Sequence, residues 1–257
     1  MENRIEAGLA FSTAAWPLNP QKSTLVFIHG SGGSNILWDN QVKTFGDRAN
    51  LLALDLPGHG ESPGTAFTTV PEYSKAVMAF INELKIPKPI PAGLSLGGAI
   101  TLQLLLDYPD SFPAGALICT GAKLKVMPMI FETIEKDFPA FVASNKQMAI
   151  SRKTDPALIQ PLLDSNLKTP PQVAFVDFQA CDLFDVRERL AEIKVPVLVV
   201  SGEDDLFTPP KYAEYLAAKI AKAKRAHILD AGHLLPLEKP RELNQALRFF
   251  LDENGLD

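Results

Sequence analysis

Short, unbroken apolar runs alternate along this chain with longer stretches whose apolar residues recur at helical spacing. Thr24-Leu25-Val26-Phe27-Ile28, Leu51-Leu52-Ala53-Leu54, Gly115-Ala116-Leu117-Ile118-Cys119 and Val195-Pro196-Val197-Leu198-Val199-Val200 lack the in–out alternation of a half-exposed strand. They predict strands covered on both faces. Val70 to Leu84, Gly97 to Asp107, Pro210 to Ile220 and Pro240 to Leu251 predict helices. Strands alternating with helices make an α/β fold with parallel strands and helical crossovers. Arg4 to Ala10, with Trp16 beyond, reads as the start of an antiparallel edge.

The stretch from Ala122 to Arg189 breaks this rhythm. It concentrates Met127, Met129, Phe131, Phe138, Phe141 and Met148, holds several prolines and offers no convincing strand. It predicts a helical insertion, 122–189, between two strands of a core made of 1–121 and 190–257. Some of its large apolar side chains must form the insertion's own core. Others, with Met127, Met129, Phe138 and Phe141 as the candidates, would face a substrate as an apolar lid.

Composition narrows the class. With 257 residues, 46% of them hydrophobic and 21% charged, the chain can bury a substantial core. A formal net charge of −5 and the absence of a basic patch argue against nucleic acid as a partner. The basic stretch Lys219 to Arg225 is interleaved with alanines and reads as a solvated helix face. Two cysteines, Cys119 and Cys181, make no disulfide framework or zinc pattern, and Cys119 reads as a small buried side chain. The first residues lack a secretory pattern and no apolar run reaches membrane-spanning length, so the expectation is a soluble, cytoplasmic protein with no membrane partner. Oligomeric state is not legible.

The chemistry centres on Gly93-Leu94-Ser95-Leu96-Gly97, a Gly-x-Ser-x-Gly elbow between the apolar approach Pro89-Ile90-Pro91-Ala92 and a helical run. Alone the motif is weak, because glycine and serine are common in turns. A serine becomes a strong nucleophile only when a base takes its proton and a third group orients that base. An acid and then a histidine follow downstream, each just past a strand. Ser201-Gly202-Glu203-Asp204-Asp205 follows the strand ending at Val200, where open α/β sheets place their ligands. Asp230-Ala231-Gly232-His233 follows Ala226-His227-Ile228-Leu229. Of four histidines, His227 lies within a strand, His59 in the turn Asp55-Leu56-Pro57-Gly58-His59-Gly60, and His29 at the end of a strand; His233 is the candidate base. The turn Gly30-Ser31-Gly32-Gly33 can supply a backbone donor at Ser31, and Leu96 a second, for a developing oxyanion.

These motifs in this order resemble the α/β-hydrolase superfamily over nearly the whole chain. The carriers are His29-Gly30-Ser31-Gly32-Gly33, Asp55-Leu56-Pro57-Gly58-His59-Gly60-Glu61-Ser62, Gly93-Leu94-Ser95-Leu96-Gly97-Gly98, Gly202-Glu203-Asp204-Asp205 with Thr208-Pro209, and Gly232-His233 with Glu238-Lys239-Pro240. The resemblance implies that the orienting acid is Asp205 rather than Asp204. It implies an α/β-hydrolase fold, a mostly parallel eight-stranded sheet flanked by helices, with the second strand antiparallel and a small helical cap after the sixth. Relatives built for dehalogenation or epoxide opening carry aspartate at the elbow, so Ser95 turns the expectation to ester chemistry. Such a member cleaves a small to medium apolar ester or thioester through an acyl-enzyme, needs no cofactor or metal, and resembles the simpler esterase-like forms, such as those that cleave pimeloyl-carrier methyl esters. On the same triad the resemblance leaves open a cofactor-free haloperoxidase or perhydrolase, a carbon–carbon bond hydrolase, and a hydrolase-like small-molecule receptor with weak turnover. A dinucleotide-binding reading of Gly30-Ser31-Gly32 fails at its third glycine, which falls on Asn35, and leaves Ser95, Asp205 and His233 unexplained.

Overall fold

The N-terminal edge is a hairpin of β1 (Glu2–Glu6) and β2 (Leu9–Thr13), joined through Ala7 and Gly8. Their φ values of 49° and 77° are the left-handed pair that a tight two-residue hairpin turn requires. In this computed structural model, which describes residues 1–256, the hairpin borders an eight-stranded sheet in the order β1-β2-β4-β3-β5-β6-β7-β8. The other strands are β3 (Thr24–Ile28), β4 (Asn50–Leu54), β5 (Pro89–Leu94), β6 (Gly115–Ile118), β7 (Val197–Gly202) and β8 (Ala223–Ile228). β2 runs antiparallel to both its neighbours; from β4 to β8 every pairing is parallel. Two predicted strands end differently. Pro196 has no N–H to give the ladder, and β7 begins one residue later. Cys119 turns to φ 45°, and β6 stops before it.

The sheet divides two apolar layers. Along β3, Leu25 and Phe27 enter one, Val26 and Ile28 the other, as strand alternation demands. Helices α1 (Asp39–Thr44), α2 (Val70–Glu83) and α3 (Leu96–Asp107) follow the early strands. Leu96 through Leu106 are all buried, because α3 lies between the sheet and α2; hence its apolar run has no polar face. The chain closes with α8 (Pro210–Lys219), α9 (Leu235–Glu238) and the amphipathic α10 (Pro240–Glu253), which buries Leu243, Leu247, Phe250 and Leu251.

Between β6 and β7 lie α4 (Pro128–Lys136), α5 (Phe138–Met148), α6 (Gln160–Asn166) and α7 (Pro171–Leu183). Each of these helices carries a proline at its first or second position, where a missing N–H costs nothing. The two ends of the insertion meet where Val186 N–H donates to the Ala122 carbonyl at 2.8 Å. Among the described residues no helix is long and apolar enough to cross a membrane.

Candidate active site

The register of the central strands decides where the chemistry can sit. Ile28 pairs with Gly93, so the turn after β3 and the turn after β5 leave the sheet side by side. Ser95 joins β5 to α3 with φ 57° and ψ −116°, a conformation that non-glycine residues adopt only when their surroundings impose it. Here the surroundings do. Ser95 N–H donates to the Ile118 carbonyl at 3.1 Å, and its own carbonyl accepts from Thr120 Oγ1 at 2.8 Å and from Ala99 N–H at 3.0 Å. The flanking glycines are required by close approach. A Cβ on Gly93 would stand 1.9 Å from the Gly97 carbonyl oxygen, and one on Gly97 would stand 2.1 Å from that of Ile28. A Cβ on Gly30 would stand 3.3 Å from the Ser95 Cβ, so the glycine turn lies against the serine. Leu96 N–H opens α3, where helix geometry leaves it without an intrahelical acceptor.

The acid and the histidine meet. His233 Nδ1 donates to Asp205 Oδ2 at 2.9 Å, and both side chains are buried. Asp205 Oδ1 accepts from Phe207 and Thr208 N–H, each at 2.9 Å, and Oδ2 accepts from Thr208 Oγ1 at 2.7 Å. Burial alone would raise the Asp205 pKa, but the pairing with His233 and these hydrogen bonds outweigh it and hold the carboxyl well below the usual range. Asp204 faces elsewhere, accepting from Ser151 Oγ at 2.5 Å. His227 is held by Ser201 Oγ at 3.1 Å, as a strand residue. Asp55 accepts from the N–H groups of Asn35 and Glu61, bracing the loop beside the glycine turn.

The sequence model of the α/β-hydrolase family matches residues 25–246. The chain belongs to the α/β-hydrolase family. It is 26% identical over 249 residues to an uncharacterized hydrolase of Bacillus subtilis, covering 91% of each chain. It is 27% identical over 234 residues to 3-oxoadipate enol-lactonase 1 of Acinetobacter baylyi, covering 88% of each. A solved structure of a thermophilic esterase superposes with a TM-score of 0.82 at 31% identity, covering 100% of this chain and 98% of that one. This α/β-hydrolase is an esterase-like member of the family.

Several residues that brace the candidate site were not singled out by sequence as functional. Glu238, buried on α9, accepts from Gly232 N–H at 3.0 Å, from Ser151 N–H at 2.8 Å and from Thr154 Oγ1 at 2.7 Å. It therefore ties the histidine turn to the insertion. The Ala149 carbonyl, also in the insertion, accepts from both His233 N–H and Leu234 N–H, at 2.9 and 3.0 Å. The motif Glu238-Lys239-Pro240 was the only sign of this in the sequence.

The insertion's candidate pocket residues are dispersed. Met127 and Met129 are 56% and 61% exposed at the start of α4. Phe138 is buried and stacks on Phe141 at 6.0 Å; Phe141 meets Phe178 edge to face at 5.6 Å. A cavity of about 400 Å³ lies nearby, lined by Thr68, Phe131, Phe175, Gln179, Asp182 and Leu183, and holds none of those four. Cys119, Asp205 and His233 bring ligand-type atoms within 4.8 Å of one another. Burial pushes the Cys119 thiol well up, and the other two are bonded to each other.

Proposed function

We propose that this chain hydrolyses carboxylic esters or thioesters of small to medium apolar substrates through an acyl-enzyme. Ser95 Oγ attacks the carbonyl carbon while His233 Nε2 takes its proton. The pair with Asp205 keeps Nδ1 protonated and Nε2 free to accept. The oxyanion is met by the N–H groups of Ser31 and Leu96. His233 then returns the proton to the leaving alcohol or thiol, and a water, activated by the same imidazole, releases the acid. The observation that carries this reading is the buried Asp205–His233 pair at the same end of the sheet as the strained Ser95. The likeness to an enol-lactonase and to an esterase supports ester-type bonds as the target. In this reading 122–189 acts as a cap that selects the acyl or alkyl group. The two unpaired, buried cysteines suit a reducing, cytoplasmic setting.

Replacing Ser95 tests the reading directly. Ser95→Ala should lower kcat for p-nitrophenyl esters by roughly 10⁴-fold or more while leaving the melting curve near wild type. A folded Ser95→Ala protein that keeps most of its turnover would overturn the assignment.

A further inference from the structure

One face of α7 lies on the turn that the proposed oxyanion donor belongs to. Ala174, Asp177 and Cys181 stand three and then four residues apart, the spacing of a single helix face. Ala174 Cβ would stand 3.2 Å from a Cβ on Gly32, so only small groups fit between helix and turn. Asp177 Oδ2 accepts the Gly32 N–H at 2.7 Å. Cys181 Sγ lies 3.5 Å from Ser31 Oγ. From the end of α6, the Asn166 amide, oriented to suit its neighbours, donates to the Gly32 carbonyl at 3.2 Å. Ser165 Oγ meets Ser34 Oγ at 2.9 Å. Both peptide groups flanking the Gly32 Cα are thus held from the insertion.

Asp177 is fully buried and carries two further partners from the sheet domain. His59 Nε2 donates to Oδ2 at 2.8 Å, and Tyr73 Oη donates to Oδ1. His59 Nδ1 faces the Pro57 carbonyl at 3.1 Å. Both imidazole nitrogens therefore face acceptors, so both donate, and the ring is an imidazolium paired with the Asp177 carboxylate. A buried ion pair is a weak means of raising stability. It is a good means of fixing a carboxylate in one orientation, and here that orientation points at Gly32.

We propose that Asp177 is a positioning residue: by holding the Gly32 N–H it fixes the adjoining half of the turn whose Ser31 N–H meets the oxyanion, so the cap supplies part of the catalytic geometry as well as selecting the substrate. This rests on the ester-hydrolase reading above. Removing one oxyanion donor outright costs roughly 10²–10³-fold in kcat, so a misdirected one should cost at least about 10-fold.

The test compares Asp177→Ala, Asp177→Asn, Asn166→Ala and Val142→Ala, using p-nitrophenyl butyrate turnover and the rate at which a fluorophosphonate labels Ser95. In labelling, Ser95 Oγ gives its proton to His233 and bonds to phosphorus, fluoride leaves, and the phosphoryl oxygen needs the same donors. Asp177→Ala should lower kcat and the labelling rate at least about 10-fold, with KM changed by no more than about threefold. Asp177→Asn loses the ion pair and should melt lower, yet its amide oxygen can still accept from Gly32 and should recover most of the rate. Val142, buried in α5 away from the turn, should lose melting temperature on truncation with kcat retained. A folded Asp177→Ala that labels and turns over like wild type would overturn the proposal, as would an Asp177→Asn as slow as the alanine variant. Should Asp177→Ala not fold, Asn166→Ala decides by the same criterion, kcat and labelling falling together. A wild-type chain that is not labelled at Ser95 would overturn the ester-hydrolase reading and this one together; unaffected variants of a labelled wild type overturn this one alone.

Discussion

His29 and His59 stand with ring centroids 4.9 Å apart and hold opposite charge states. His29 Nδ1 donates to the Gly30 carbonyl at 2.8 Å and Nε2 accepts from Leu56 N–H at 3.0 Å, which fixes a neutral ring. Burial, and then the charge of His59, press its pKa down to about 3. Burial would lower His59 as well, but Asp177 outweighs it and the value is raised; Asp55 adds to the pull, while Tyr73 faces the same carboxylate. The two groups act on stability in different windows. A depressed His29 contributes stability above its unfolded value, near 6.5, and that contribution fades as pH falls toward about 3. A raised His59 contributes fully below about 6.5 and fades as pH climbs through its folded value. The melting-temperature advantage of wild type over Asp177→Asn should therefore shrink as pH rises above about 6.5, and a gap that stays constant there would show that His59 is neutral in the fold. The neighbouring carboxylates make a second comparison at this scale. Asp205→Asn breaks the partner of His233 Nδ1 and favours the wrong tautomer, so kcat/KM should fall by roughly 10³–10⁴-fold. Asp204→Asn loses only the contact with Ser151 Oγ and should stay within about threefold, because its group does not reach the imidazole.

Among elements, the joint between β5 and α3 is the least tolerant. An alanine at Gly97 would place its Cβ 2.1 Å from the Ile28 carbonyl oxygen and 2.7 Å from that of His29, backbone atoms that no rotamer change can move aside. Gly97→Ala should cost on the order of 4 kcal/mol or more in chemical denaturation, the exceptional range for one substitution. Gly255→Ala is the control: φ is 63° but nothing lies within 4 Å, so only about 1–2 kcal/mol of backbone strain is added. This joint was legible in the sequence because strand, turn and helix are contiguous there, and Gly-x-Ser-x-Gly is a local constraint written in local residues. Strands β3, β4, β6 and β7 were legible for the same reason, as unbroken apolar runs; the first half of β8 was not, because Lys224 and Arg225 lie in this exposed edge strand and not on the helix face that the basic stretch Lys219 to Arg225 suggested. The turn and helix from Asn35 to Thr44 were not, since only Leu37, Trp38, Gln41 and Val42 are buried, too few to make a periodic signal. Nor were Asp177 and Glu238 legible as parts of the site. Asp177 meets Gly32 across 145 residues and Glu238 meets Ser151 across 87, and a lone acid in a helical run looks like solvated surface until the fold buries it.

At the scale of the molecule, the insertion grips the sheet domain at both halves of the site: Asn166 and Asp177 hold the glycine turn, while Ala149 and Ser151 hold the histidine turn. If, as proposed, the insertion is a cap that selects the substrate, the choice must come from its side chains, because its backbone is anchored. Phe138, Phe141 and Phe178 form a stacked and edge-to-face series joining α5 to α7, and α7 carries the contacts to the glycine turn on Ala174, Asp177 and Cys181. An apolar wall discriminates by only about 1–3 kcal/mol per methylene, so chain-length preference should be graded rather than absolute. Truncating Phe141 opens space without touching a hydrogen bond to the glycine turn. Phe141→Ala should therefore move the kcat/KM optimum of a p-nitrophenyl acyl series toward longer chains, while a small fluorophosphonate still labels Ser95 within about threefold of the wild-type rate. Phe138, which is more deeply buried, should lose about 3–5 kcal/mol of stability on truncation to alanine and shift the same profile. If both variants lose stability while the relative preference for chain length stays fixed, and Met127→Ala and Met129→Ala leave it fixed too, these side chains only pack the cap and the acyl group is selected by other residues.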